Sequence, residues 1–288
     1  MERFLKKDVT GAVMMLFSAS CFSLMALFVR LASETIPVGM IVCVRYGFTV
    51  LIFLPPIFMH KVRIRPVNHR LLLYRSVSAG FGGLFFFLAI SSITIAEAVI
   101  LKYTFPIFAV TISALFYGEK TSRMVIILLL WSFAGVYVMM NPKSFDPHIG
   151  YLWGMLNALS AGAAVAFVRK LRATDDSWTI MFFTAVAGMV ISLPLLTTGL
   201  RMPDAAESMY LLFAGVFGLL AQFALVYGFR YIKTGAASVI MMIEVVIASL
   251  LGFVILGQVP SIHQVLGGCM ILFGGALVLL YQGQRKEG

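Results

Sequence analysis

Charge is what this sequence has least of. Of its 288 residues only 12% are Asp, Glu, Lys or Arg, while 61% are hydrophobic. Soluble domains run nearer to a quarter charged and half apolar, so a water-soluble globular domain is excluded for most of the chain. No GxxxxGK[ST] occurs, so nothing points to ATP binding. The three cysteines, Cys21, Cys43 and Cys269, each sit in an apolar run without CxxC spacing. They read as small buried hydrophobes rather than a disulfide or metal framework. His60, His69, His148 and His263 are scattered, so no metal site is expected. No Ser-His-Asp arrangement is visible, and there is no linker or low-complexity segment. Strand-length alternation is missing too, which argues against a β-barrel.

What is present is a series of apolar runs, each near the length that crosses about 30 Å of hydrocarbon. Ten candidate spans cover residues 9–31, 38–59, 71–91, 94–116, 122–140, 150–171, 178–199, 207–230, 234–257 and 262–281. The first exceeds the 7–15 residues of a typical signal-peptide core, so it reads as a retained span. The sequence thus predicts an all-α integral membrane protein with ten transmembrane helices. The net charge of +10 is spread over short loops, not gathered into a basic domain, so nucleic acid is not an expected partner. If the N-terminus is cytoplasmic, sixteen Lys and Arg fall on the inside and three on the outside. That bias predicts both termini inside and a multi-pass protein of the cell (inner or plasma) membrane.

The chain also resembles itself. At an offset of 139 residues, Phe28-Val29-Arg30 falls on Phe167-Val168-Arg169 and Leu54-Pro55 on Leu193-Pro194. Gly118 falls on Gly257 and Gly135 on Gly274 in the same register. The expectation is a duplication, residues 1–145 and 146–288, each with five spans. An odd number of spans inserts the second copy upside down, the inverted-repeat plan of many secondary transporters.

The segments AEAVILKYTFPIFAVTISALFYGEK (96–120) and GAASVIMMIEVVIASLLGFVILGQ (235–258) carry a shared pattern: a small-residue start, an apolar run with a proline or acid near its middle, and a Gly-Glu-like end. The chain thereby resembles the EamA-type branch of the drug/metabolite transporter superfamily over essentially its whole length. It departs from the pattern where Glu244 is followed by Val245 rather than proline, and where Gly257 is followed by Gln258. The resemblance implies a central cavity lined partly by the fourth and ninth spans, and secondary transport of small organic metabolites.

Charged groups inside hydrocarbon cost at least about 2.5–3.5 kcal/mol each and mark function or pairing. Glu244 lies near the middle of the ninth span and Lys102 in the fourth, at similar depth. The 139-residue offset maps Glu244 onto Phe105, one turn from Lys102, so the two are expected to meet. As a functional pair they bind solute or exchange a proton; as a structural pair they only hold helices together. Glu97 is about 140° around the helix from Lys102, and Arg45 on the second span is its expected partner, fixing helix to helix. Arg75, near the cytoplasmic end of the third span, is expected to snorkel. Pro106 interrupts the fourth helix and points to a cavity wall. Tyr103 and Tyr227 offer stacking surfaces, and Gln222 and Asn157 offer hydrogen bonds, so all four join the candidate substrate or coupling set.

A central carboxylate suits a cationic or zwitterionic solute, such as an amino acid or an S-adenosylmethionine-like metabolite. Uptake and efflux remain equally open. The expected partners are that solute, protons as a coupling ion, the bilayer and a second copy in a homodimer; no cofactor and no catalytic residue is expected. A membrane-embedded enzyme and a non-transporting scaffold are the alternatives.

Overall fold

Among the described residues eleven α-helices form, because apolar segments near membrane length leave the backbone no partner but itself. The computed structural model describes residues 2–118, 123–139, 148–171, 174–198, 202–228, 240–241 and 243–284. Its helices are α1 (Glu2–Ala32), α2 (Val38–Phe58), α3 (His69–Ser92), α4 (Ile95–Lys102), α5 (Phe105–Tyr117), α6 (Arg123–Met139), α7 (Ile149–Leu171), α8 (Ser177–Ser192), α9 (Ala205–Gly228), α10 (Ile243–Leu256) and α11 (Ile262–Gln284). A 3₁₀ turn, Leu193–Thr198, follows α8. Among the described residues there is no strand. Of the expected ninth span, residues 234–239 and 242 lie outside the described set, as do Glu119 and Lys120 at the end of the 96–120 segment.

Among the described residues seven stretches are long and apolar enough to cross a membrane: Thr10–Ala32, Val38–Phe58, His69–Ser92, Ile95–Phe116, Ile149–Val168, Ser177–Leu196 and Ala205–Leu225. Three shorter apolar helices, Ile126–Val138, Ile243–Leu256 and Ile262–Gly274, fall within the expected fifth, ninth and tenth spans. The fourth span is not one helix. It divides at Tyr103–Thr104 into α4 and α5, and Pro106 stands in the first turn of α5, described by its backbone alone. This corrects the expectation of a proline inside a continuous helix. In a first turn the missing N–H has no intrahelical partner to lose, so the break falls before the proline rather than at it.

Many polar side chains turn inward, beside an apolar core, and many large apolar ones face outward, as expected when lipid is the solvent. Ser18, Ser23, Thr49, Ser132 and Asn157 are buried, while Leu115, Leu130, Val254 and Phe273 are exposed. Helix starts are fixed by side-chain caps. Thr94 and Glu97 form a reciprocal capping box on α4, Asp204 and Glu207 one on α9, and Ser261 and Gln264 one on α11. Each satisfies N–H groups that a helix leaves unpaired at its start.

The packing crosses between the two halves of the chain. α1 lies along α9 and α10, and α7 lies along α3, α4 and α5; α2 meets α8, and α6 meets α11. α2 and α8 begin at Val38 and Ser177, 139 residues apart. Gly118 and Gly257, separated by the same interval, end α5 and follow α10 with φ of 66° and 64°. That left-handed backbone is where glycine escapes a Cβ clash.

Candidate functional site

The site grows from the break between α4 and α5. α4 is capped at one end by Thr94 and closes at the other with Lys102, whose charge suits a helix C-terminus. The turn then tightens: the Tyr103 N–H donates to Ile100 O at 3.0 Å and the Thr104 N–H to Leu101 O at 3.0 Å. This delivers Lys102 and Tyr103 to α10. Lys102 Nζ donates to Glu244 Oε1 at 2.6 Å and Oε2 at 2.7 Å. The Tyr103 hydroxyl reaches Glu244 Oε2 at 2.9 Å and also Met241 O. Ser23 on α1 donates to the Glu244 carbonyl at 3.2 Å.

Glu244 is fully buried, whereas the Lys102 side chain is 17% exposed. The ammonium also lies 4.9 Å from the Phe22 ring centroid and 5.1 Å from that of Phe86. Ring faces attract a cation most where water is excluded. Both carboxylate oxygens are engaged, so a solute cation or a proton arriving at Glu244 competes with Lys102 for it. Phe22 and Phe86 were not legible in the sequence, being two of 25 phenylalanines with nothing local to mark them.

The expected Arg45–Glu97 pair does not form. Glu97 accepts from Thr94 N (2.9 Å), Thr94 Oγ1 (2.7 Å), Tyr151 OH (2.5 Å) and Gln264 Nε2 (2.8 Å), tying α4 to α7 and α11. Its oxygens are taken by its own helix cap and by neutral donors. The Arg45 guanidinium instead lies over the Tyr46 ring, 4.4 Å from its centroid. It lines a cavity of about 140 Å³ together with Arg75 and Gln222. Asn157 donates to Gly82 O at 2.7 Å and pins α7 to α3. Tyr227 is 44% exposed, next to Gly228, which packs on Met14, Met15 and Gly11 of α1. Gly11 is about three turns along α1 from Ser23. Of the nine candidates, then, the structure gathers Lys102, Tyr103 and Glu244 in one cluster, with the Pro106 backbone just beyond it. Arg45 and Gln222 share the cavity; Glu97 and Asn157 serve helix contacts.

At the end of the bundle where α2 meets α3, a second polar cluster joins the halves. Asp175 accepts from Val67 N at 2.8 Å, Asn68 N at 3.1 Å and Thr174 Oγ1 at 2.7 Å. The Arg65 N–H donates to Thr179 Oγ1 at 3.2 Å. Burial pushes the Asp175 carboxyl up, but the Thr174 hydroxyl and the two backbone amides outweigh it and hold the group below its usual range.

Known proteins bear on this arrangement. The EamA-like transporter family model matches the chain twice, over residues 9–141 and 148–280. The pseudopaline exporter CntI of Pseudomonas aeruginosa is 28% identical over 91% of this chain and 93% of its own length. An uncharacterized transporter of Helicobacter pylori is 25% identical, with 94% of each chain covered. The S-adenosylmethionine uptake transporter of Rickettsia felis is 22% identical over 84% of this chain and 82% of its own. A solved crystal structure at 18% identity superposes with a TM-score of 0.65, covering 97% of this chain and 99% of that one, and supports the fold alone. With both halves matched, the chain belongs to the EamA-like transporter family and is a multi-pass membrane transporter of small molecules.

Proposed function

We propose that the chain is a secondary transporter of a small organic metabolite, working by alternating access between two inverted five-helix repeats, residues 1–145 and 146–288. Ten spans follow if α4 and α5 count as one. The Lys and Arg bias puts both termini in the cytoplasm of a cell whose inner or plasma membrane holds the protein. The double family match supports the repeat, as do helix starts and left-handed glycines 139 residues apart and the reciprocal packing of α1 on α9 and α7 on α3. Transport, rather than catalysis or scaffolding, is what the named relatives do.

The observation that carries the mechanism is the buried Lys102–Glu244 pair, because it joins α4 of one repeat to α10 of the other. A buried ion pair is a poor source of stability compared with apolar packing. Its use is as a switch: solute or a proton competes for Glu244, frees Lys102 and lets the repeats rock. Relatives named for export and for uptake share this family, so one architecture serves both directions. Amino acids, S-adenosylmethionine-like metabolites and other cationic or zwitterionic solutes fit the reading.

Proteoliposome flux under a pH gradient tests it. Wild-type protein should move metabolites, and Glu244→Gln should slow flux at least tenfold or abolish its pH dependence. Unchanged flux with unchanged pH dependence in a folded E244Q variant removes Glu244 from the mechanism.

A further inference from the structure

Among the described residues, the charge that faces the cavity at Arg45 is positive. The cavity of about 140 Å³ is lined by α2, α3, α7, α8 and α9, so both halves of the chain contribute. By the same measure one water needs about 10–15 Å³, which leaves ample space for part of a small solute. Its polar lining is Arg45, Tyr46, Thr49, Arg75, Ser177, Thr184 and Gln222, and among the described residues no carboxylate lines it. Arg45 is only 7% exposed. Its Nε, and Nε and Nη1 of Arg75, are buried without a hydrogen-bond partner among the described residues. Asp175 and Asp176, just before Ser177 of the lining in sequence, make other hydrogen bonds. Asp175 accepts from Val67, Asn68 and Thr174, and Asp176 caps α8 through Thr179 N at 2.7 Å.

Two guanidinium groups with three buried nitrogens lacking a hydrogen-bond partner among the described residues call for an anion in a low-dielectric cavity. Planar guanidinium forks match carboxylate and phosphate oxygens in two-pronged contacts. Arg45 is held for this. Its guanidinium stacks on Tyr46, and Gly218 of α9 leaves it room: a Cβ there would meet Arg45 Nε at 3.0 Å. The Lys102–Glu244 pair, neutral overall, contributes no free counter-charge.

We infer that Arg45 and Arg75 bind an acidic oxygen group, a carboxylate or a phosphate, of the transported solute. The inference rests on the transport reading above. It narrows the solute class: zwitterions and acids remain, and solutes that are only cationic do not.

The test uses full-length protein in proteoliposomes, an aqueous small-molecule extract of the expression host as probe, and mass spectrometry of what crosses. The solutes moved by wild type should carry a carboxylate or phosphate. Arg45→Gln and Arg75→Gln should cut their flux at low concentration about tenfold or more, as loss of a charged hydrogen bond does. Melting temperatures identify folded variants. Should either Gln variant fail to fold, Arg45→Lys and Arg75→Lys keep the charge but lose the fork, and should raise the half-saturating concentration several-fold.

Wild-type flux of solutes without acid groups would overturn the inference while leaving transport intact. So would unchanged flux of acids in the folded variants. Anionic phospholipid retained by wild type and lost from R45Q, with solute flux unaffected, would assign the arginines to lipid and overturn it as well. Flux of nothing by wild type would remove the transport reading, and this inference with it.

Discussion

At the scale of single residues, the informative positions were those where rarity met depth. Glu244 and Lys102 stood out because charges are scarce in apolar runs, and they meet at 2.6 Å. Similar depth in the membrane suggests Arg45 as a partner for Glu97, but depth does not say which way a side chain turns. A signal against that pairing was present: Thr94-Ile95-Ala96-Glu97 has the spacing of a capping box, which commits Glu97 to its own helix start. Ser261 and Gln264 have the same spacing, and Gln264 spends its carbonyl on the cap and its amide on Glu97. Tyr151, Phe22 and Phe86 had no such mark, because only the packed bundle brings them to a charge. The ion pair makes a prediction at this scale. Lys102→Met strands a buried carboxylate and should cost about 3–5 kcal/mol, the usual loss when one partner of a buried pair is removed. Lys102→Met with Glu244→Gln should recover much of that. Melting curves of the two variants in detergent check it, and a double variant as unstable as K102M would deny the coupling.

At the scale of elements, apolar length predicted where helices lie, and chemistry at their ends decided where they stop. The sequence marked Pro106 as an interruption, yet the break falls two residues earlier, because a proline is tolerated in a first turn. The joint between the α2–α3 loop and the α7–α8 loop was not legible, since it depends on backbone amides of Val67 and Asn68 reaching across more than a hundred residues to Asp175. That joint is pH-sensitive in a direction the bonds dictate. The folded carboxyl sits below its unfolded value, so its contribution is present above the unfolded pKa of about 3.9 and disappears as pH falls through the folded pKa. Asp175→Asn should cost about 1–2 kcal/mol at neutral pH. It should also lose part of the wild-type sensitivity to acid, measured as melting temperature from pH 7 down to pH 3. An unchanged acid profile would mean the joint contributes nothing to stability.

At the scale of the molecule, membrane character and family were legible because composition and the 139-residue self-match are properties of the whole chain, insensitive to local error. The location of the cavity at Arg45 was not, because it depends on which faces α2, α3, α7, α8 and α9 turn toward one another. In the proposed transport cycle the two halves rock about the Lys102–Glu244 junction and open one end of the bundle while closing the other. Double electron–electron resonance tests it directly, with one spin-label pair at each end. Val67→Cys with Lys170→Cys reports the end that Asp175 ties together. Glu34→Cys with Met202→Cys reports the opposite end, where Gly39 packs on Leu195. In liposomes, changing from wild type to Glu244→Gln should lengthen one distance and shorten the other. Two distances that stay fixed, or that lengthen together, would contradict alternating access between these halves.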